Sequence, residues 1–429
     1  MCFHDNLTFL AITPDFIPIS NQMLIEYWHF ARTHTRFLGF GFLLAFLSSP
    51  GQTYFIGVFG AEIEALFDLD SGSWGRTYMI GTLLSAALIT WSGTLIDRMD
   101  LRLFTALSLL GLASACLVIG SASSPAMLVV AIFMLRQFGQ GLTSHAGITS
   151  MARYHAADRG KAIALAAIGF SLGEAMLPLL AVFSIQTWGW RETYFGTASF
   201  VFLSIPIALW LLKGHKTRHA RLLKNLSDSA VQGNQQDSYT RTQMLSEPLF
   251  YLMLPAMIAP SMIITAMFFF PAEIAKAKGW TSLWVTANYW AYSISTVMTI
   301  ILSGGLVDRF TARRVVPAFL LPLAVAMSAL TISDDRFMIW PFMLLMGVSS
   351  GLYFTALSAL WAELYGPRYL GAIKSLTNAV MVFSSAMGPA LVGYLLTQGM
   401  EFEKICLLLV AGCLFATVML FYALRIPRS

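Results

Sequence analysis

The sequence predicts an all-α membrane protein: twelve transmembrane helices in two pseudo-symmetric six-helix bundles. Three observations carry this expectation. The apolar residues fall in long runs, the basic residues crowd one side of those runs, and the two halves repeat at a constant offset.

The chain is 57% hydrophobic and only 11% charged, against about 25% charged in ordinary soluble domains. A hydrocarbon core asks for about 20 apolar residues per helix. Segments that meet this fall near 37–66, 73–96, 101–121, 125–151, 161–185, 193–212, 249–275, 281–306, 314–332, 338–362, 370–397 and 404–424. The first is long enough to tilt or to end in an interfacial turn. Only the fourth, with Arg136, and the fifth, with Glu174, hold a charge near their middle.

Basic residues set the orientation. With both termini cytoplasmic, twenty of the 27 Lys and Arg residues lie in inner segments, six lie in outer ones, and Arg136 lies within the fourth. The outer loops, such as LFDLDSGS and ISDDR, are acidic or neutral. The expected location is a cell membrane, inner or plasma, with the bilayer as the chain's surroundings. The net charge of +5 follows from this loop asymmetry, so nucleic acid is not an expected partner.

The expected organisation is a cytoplasmic tail over 1–36, a six-helix bundle over 37–212, a linker over 213–247, a second bundle over 248–424 and a short tail over 425–429. The linker starts basic and becomes rich in Gln, Ser and Asn, a composition that does not fold alone. The first 36 residues lack the basic start and cleavage site of a signal peptide. Cys116, Cys406 and Cys413 lie in apolar runs as small hydrophobes, and no Cys/His cluster has metal-ligand spacing.

The internal repeat is specific. GTLIDRMDLR begins at Gly93 and GGLVDRFTAR at Gly304, an offset of 211 that also carries Gly160 onto Gly371, Tyr154 onto Tyr365 and Pro178 onto Pro389. Glycine at a membrane helix end lets another backbone approach. A carboxylate at the membrane surface is favoured opposite a helix N-terminus. On these residues the chain, over about 37–424, resembles the major facilitator superfamily of secondary transporters. The first copy has Asp100, and the second Thr311, where the family usually has glycine.

The resemblance implies a cytoplasmic gate formed by Gly93, Asp97, Arg98 and Arg102 with Gly304, Asp308, Arg309 and Arg313. In it Asp97 faces the start of segment 11 near Gly371, and Asp308 faces the start of segment 5 near Gly160. Glu363 and Arg368 would form a second ion-pair network there. The alternative is a solvated basic loop that only follows the charge rule.

Arg136 lies roughly 24 Å from the inner end of segment 4, and Glu174 roughly 20 Å along segment 5, at about 1.5 Å per residue. The depths match, so the two charges are candidates for a pair. A charge at the bilayer centre costs about 2.5–3.5 kcal/mol, and an ion pair at 4 Å returns about 4 kcal/mol at an effective dielectric of 20. Pairing therefore permits both residues without making them good stabilisers. At the repeat offset Arg136 corresponds to Gly347 and Glu174 to Ser385, so the six-helix unit does not require either charge.

The family layout puts segments 1, 4, 7 and 10 around a central cavity. Arg136, four residues from Gln140, would there hold an anionic group such as a carboxylate, since guanidinium stays protonated and binds carboxylates bidentately. Glu174 would be a proton site, or else the pair only fixes two helices. Further polar candidates are Gln52, Thr53, Asn288, Tyr289, Tyr292, Tyr353 and Asn378, each with interhelical hydrogen bonding as the alternative. His145 is out of phase with Arg136 and is expected to pack between helices.

The expected function is secondary active transport of a small solute, an organic anion, by alternating access, with proton coupling left open. A drug/proton antiporter or exporter is the alternative: GFSLGEAMLP resembles the family's segment-5 antiporter motif but lacks its Gly-Pro pair. A non-transporting sensor or scaffold on the same fold is a further one. An enzyme is not expected, because HExxH and nucleophile–base pairs are missing from the sequence. Without a Walker motif ATP does not drive the chain directly, and no cofactor or metal is expected. The functional unit is read as a monomer.

Overall fold

The computed structural model describes residues 28–155, 158–215, 240–366 and 369–425. Asp97, Gly304, Asp308 and Gly371 are described only as helical backbone, and Arg368 lies outside the described residues. Two units divide the chain, 1–35 and 36–429. In the first, the described residues from Trp28 form a helical stretch, with Thr33 Oγ1 bonded to the His29 carbonyl and Arg32 over the Trp28 ring.

The rest is helical, with no strand among the described residues. The segments are α1 (Thr35–Leu47, resuming as Thr53–Ile56 and Gly60–Phe67), α2 (Ser71–Ser92), α3 (Leu101–Gly120), α4 (Pro125–Tyr154), α5 (Arg159–Trp188) and α6 (Trp190–Leu211). They continue as α7 (Pro248–Phe269), α8 (Tyr289–Phe310), α9 (Ala312–Ile332), α10 (Arg336–Tyr365), α11 (Leu370–Thr397) and α12 (Phe402–Arg425). Among the described residues ten helices are long and apolar enough to cross a membrane, and the bent α1, taken as one span, gives an eleventh. The remaining segment is α2, a 22-residue helix whose first turns, SGSWGRTY, carry Arg76 and several Ser, Thr and Gly residues that lower its hydropathy.

Local chemistry fixes the boundaries. Asp70 caps α2 by accepting from Ser73 N, Asp100 caps α3 from Arg102 N, and Ser124 caps α4 ahead of Pro125. These side chains satisfy amide groups that a helix start leaves without partners. Thr240 and Gln243 form a capping box on a short helix, Arg241–Ser246, before α7.

Two irregularities shape the interior. In α1 the helix breaks at Ser49–Pro50–Gly51 and resumes at Thr53 after extended Gln52, with a bend of 46°. Proline supplies no N–H and so ends the ladder there. In α4, Arg136–Thr143 is wound as a π-helix, a form concentrated at functional sites.

The break of α1 sits between α4 and α5. A Cβ on Gly51 would come 2.2 Å from the Leu135 carbonyl oxygen, so only glycine permits this approach. On the other side Ser49 lies against Gly173 of α5.

The two halves close on each other at the end that carries Asp68, Asp70, Asp334 and Asp335, called here the acidic end. Gly72 N donates to Thr397 Oγ1 at 3.0 Å. A Cβ on Gly75 would stand 2.3 Å from the Pro389 carbonyl oxygen. Phe269 of α7 stacks on Trp74 and meets Tyr78, both of α2, and Phe268 meets Tyr54 of α1. Asn378 lies on the same face of α11 as Pro389, three turns away by the helical period. It is exposed.

Candidate functional site

Arg136 is 1% exposed. Its Nη1 donates to the Gly51 carbonyl at 3.1 Å and to Thr53 Oγ1 at 3.4 Å, and its guanidinium lies 5.4 Å from the Tyr78 ring centroid. Thr53 Oγ1 and the Tyr78 hydroxyl are also bonded to each other. The carbonyl exists as a partner because the broken turn of α1 frees it from its helical bond. Nε and Nη2 have no partner.

Glu174 is also buried, at 6% exposure. It accepts from Ser293 Oγ of α8 at 2.9 Å. An acid of the first half is thereby bonded to a hydroxyl of the second.

The depth-matched Arg136–Glu174 pair does not form. Among the described residues no ion pair involves either charge. The reason is steric and topological: Ser49–Gln52 of α1 fills the space between α4 and α5, and each charge turns to a different neighbour. Equal depth on adjacent helices left that intervening chain out of account.

The polar candidates separate into partnered and unpartnered groups. Gln52 bonds Ser48, Tyr292 donates to Ser350 Oγ, and Tyr353 donates to the Met257 carbonyl. Tyr289 is buried with its hydroxyl unpartnered, packed edge-on against Phe268. Asn288 bridges Trp284 and Trp340, an interhelical bond of the structural kind. Gln140 is half-buried beside Gly51, and the glutamine with side-chain partners is its neighbour Gln137, held by Ser85 and Ser92 of α2. The π-winding changes which residues share a face, so spacing by four did not select it. His145 is exposed and bonded to Thr149 on its own helix, not packed between helices.

At the basic end Gly93 ends α2 with a bond to the Ile89 carbonyl. Arg98 is exposed, Arg102 donates to the Leu212 carbonyl at 3.2 Å, and Arg309 lies over Phe310. Glu363 binds backbone: it accepts from Ala312 N at 2.8 Å and Arg313 N at 3.3 Å. This carboxylate pins the start of α9 immediately after Thr311, whose φ of 67° and ψ of 151° lie in a region that is essentially glycine-only.

Sequence reasoning missed Tyr78, Tyr54 and Ser293. They carry no charge, and only the fold places them beside Arg136 and Glu174. At the repeat position of Arg136, Gly347 lets α10 press directly on Tyr292 and Ser295 of α8.

The model of the Major Facilitator Superfamily matches residues 41–296 and 266–429. Solved structures of the same fold include a bacterial homologue of the human lysosomal transporter Spinster, inward-facing and unoccupied. It is 14% identical, covers 91% of this chain and 97% of its own, and has a TM-score of 0.66. The same homologue in an inward-facing, occupied form is 16% identical over 90% of this chain and 96% of its own, also at 0.66. The nucleoside transporter NupG is 12% identical over 91% of this chain and 100% of its own, at 0.69. No curated protein matches the chain by sequence. With a family match spanning both halves, two bundles closed at one end and a charged, buried centre, the chain belongs to the Major Facilitator Superfamily and is a secondary transporter, not an enzyme.

Proposed function

We propose that the transported solute is a small organic anion, such as a carboxylate, and that Arg136 binds it. The observation that carries this reading is a guanidinium at 1% exposure, with two nitrogens unpartnered. A buried charge left so is costly, and an anion presenting two oxygens would satisfy both free donors at once. A neutral nucleoside, the solute in NupG's name, would leave the charge uncompensated.

Glu174 is proposed as the proton site. Its carboxylate joins the halves through Ser293, so a change in its charge alters a contact that alternating access must remake. The basic end is assigned to the cytoplasm by the Lys and Arg distribution, with both termini inside, a monomer as the working unit and a plasma or inner membrane as the location. The two D-R-x-x-x-R loops, with Asp97 and Asp308, are proposed as the gate at that end, and Glu363 supports it by holding α9.

The test is uptake by proteoliposomes of mono- and dicarboxylates, sulfonates and nucleosides, with and without an imposed pH gradient. Carboxylate flux that is driven by the gradient and lost in Arg136→Gln is the expected result. Nucleoside or cation flux that survives Arg136→Gln would refute the anion assignment.

A further inference from the structure

We infer that the basic end carries a site for one anionic phospholipid, in a notch between α3 and α6. The notch has a volume of about 480 Å³ and is lined by Arg102, Leu103, Ala106, Leu209, Trp210 and Lys213. Its residues divide by chemistry along the helix axes. Arg102 and Lys213 lie at the helix ends, and Leu103, Ala106 and Leu209 line the wall below them. Leu103 and Trp210 are 53% and 59% exposed, so the apolar wall faces outward, where acyl chains run.

Among the described residues, the basic side chains there have no acidic counterpart. Arg36 joins the group: its Nη2 donates to the Trp210 carbonyl at 2.9 Å and its guanidinium lies 4.7 Å from that ring's centroid. Arg102 Nη2 holds the Leu212 carbonyl, and its Nε, buried, has no partner. Two guanidinium groups thus cap the last turn of α6, whose carbonyls carry only partial negative charge. Among the described residues no carboxylate pairs with Arg36, Arg102 or Lys213. Loop charge that merely follows orientation needs neither a shaped notch nor a donor pointed away from water. A phosphodiester in the notch pairs with the exposed Lys213 ammonium and the Arg102 guanidinium that line it, and its acyl chain covers Leu103 and Leu209. An aromatic ring at the same depth suits the headgroup boundary.

This reading is independent of what the central site carries. The test is native mass spectrometry of the full-length protein in detergent, titrated separately with dioleoylphosphatidylglycerol, dioleoylphosphatidylcholine and inorganic phosphate. The expected result is preferential retention of one phosphatidylglycerol, weakened by about five-fold for each basic side chain removed in Arg102→Gln and Lys213→Gln. Arg314→Gln, a basic residue outside the notch, should leave retention unchanged. Lys213 lies on an exposed turn, so its variant reads the site even if Arg102→Gln folds poorly. Equal retention of the two lipids, or unaltered retention in Lys213→Gln, would overturn the proposal. Competition by inorganic phosphate would replace it with a free-anion site.

Discussion

The Glu174 carboxylate accepts a hydrogen bond from Ser293 Oγ at 2.9 Å, which ties α5 of the first half to α8 of the second. It is a polar contact across the halves, next to the aromatic cluster of Tyr54, Phe268 and Tyr292. Any transport step that separates the halves there must break it. Glu174→Gln keeps the shape and the acceptor but fixes the charge at zero. Uptake by this variant is expected to lose its dependence on a pH gradient while retaining solute binding. An unchanged response to the gradient would remove Glu174 from proton coupling.

Arg136→Gln should lower carboxylate uptake by at least about ten-fold, the loss of one charge-assisted hydrogen bond or more. Thermal stability should be unchanged or should rise, since an unpaired buried charge is removed. Arg136→Lys keeps the charge but not the fork that reaches Gly51 and Thr53, and is expected to recover only part of the uptake. A large fall in Tm with either variant would mark the residue as structural.

Gly75→Ala places a methyl group 2.3 Å from the Pro389 carbonyl oxygen. Backbone on both sides leaves little room to relax, and overpacking of this kind costs about 1–3 kcal/mol. The cost applies only to the state closed at the acidic end, so the population should move away from it. Labelling of a cysteine introduced at Ser71, which packs on Gly393, should become faster in this variant. Equal rates would show that the seam is not strained.

Thr311→Gly should stabilise the protein. The residue sits at φ 67° and ψ 151°, a conformation that costs a threonine about 1–3 kcal/mol. The larger backbone entropy of glycine offsets part of the gain, leaving a rise in Tm of a few degrees. Glu363→Gln should act oppositely, because it weakens the bonds to Ala312 N and Arg313 N that hold this turn.

Lys278, outside the membrane-spanning helices, is bound to Asp334 at 2.9 Å and Glu403 at 2.8 Å, with its side chain 1% exposed. Burial alone would lower its pKa, but the two carboxylates outweigh it and hold the ammonium above the usual lysine range. A raised pKa in the folded state gives stability that is complete below the unfolded value and lost as pH rises through the folded one. Lys278→Met should therefore lower Tm between neutral pH and about pH 10, with the difference from wild type shrinking at higher pH. A constant difference across that range would show that packing, not charge, is what the lysine contributes.

The sequence by itself determined the helical membrane class, the two halves, the family resemblance and the buried charges at Arg136 and Glu174. These follow from hydropathy, loop charge and the 211-residue repeat, all of which act along the chain. Tertiary structure alone decided which groups meet. The break at Ser49–Gln52 separates two charges whose depths match to within about a helical turn, the π-winding after Arg136 gives Gln137 rather than Gln140 the bonds to α2, and Glu174 finds its partner in the other half. A carbonyl freed by a broken turn and a serine on a distant helix carry no periodic signal. Their positions are set by how closely backbones pack where Gly51, Gly139 and Gly173 allow it, and that depends on three helices at once.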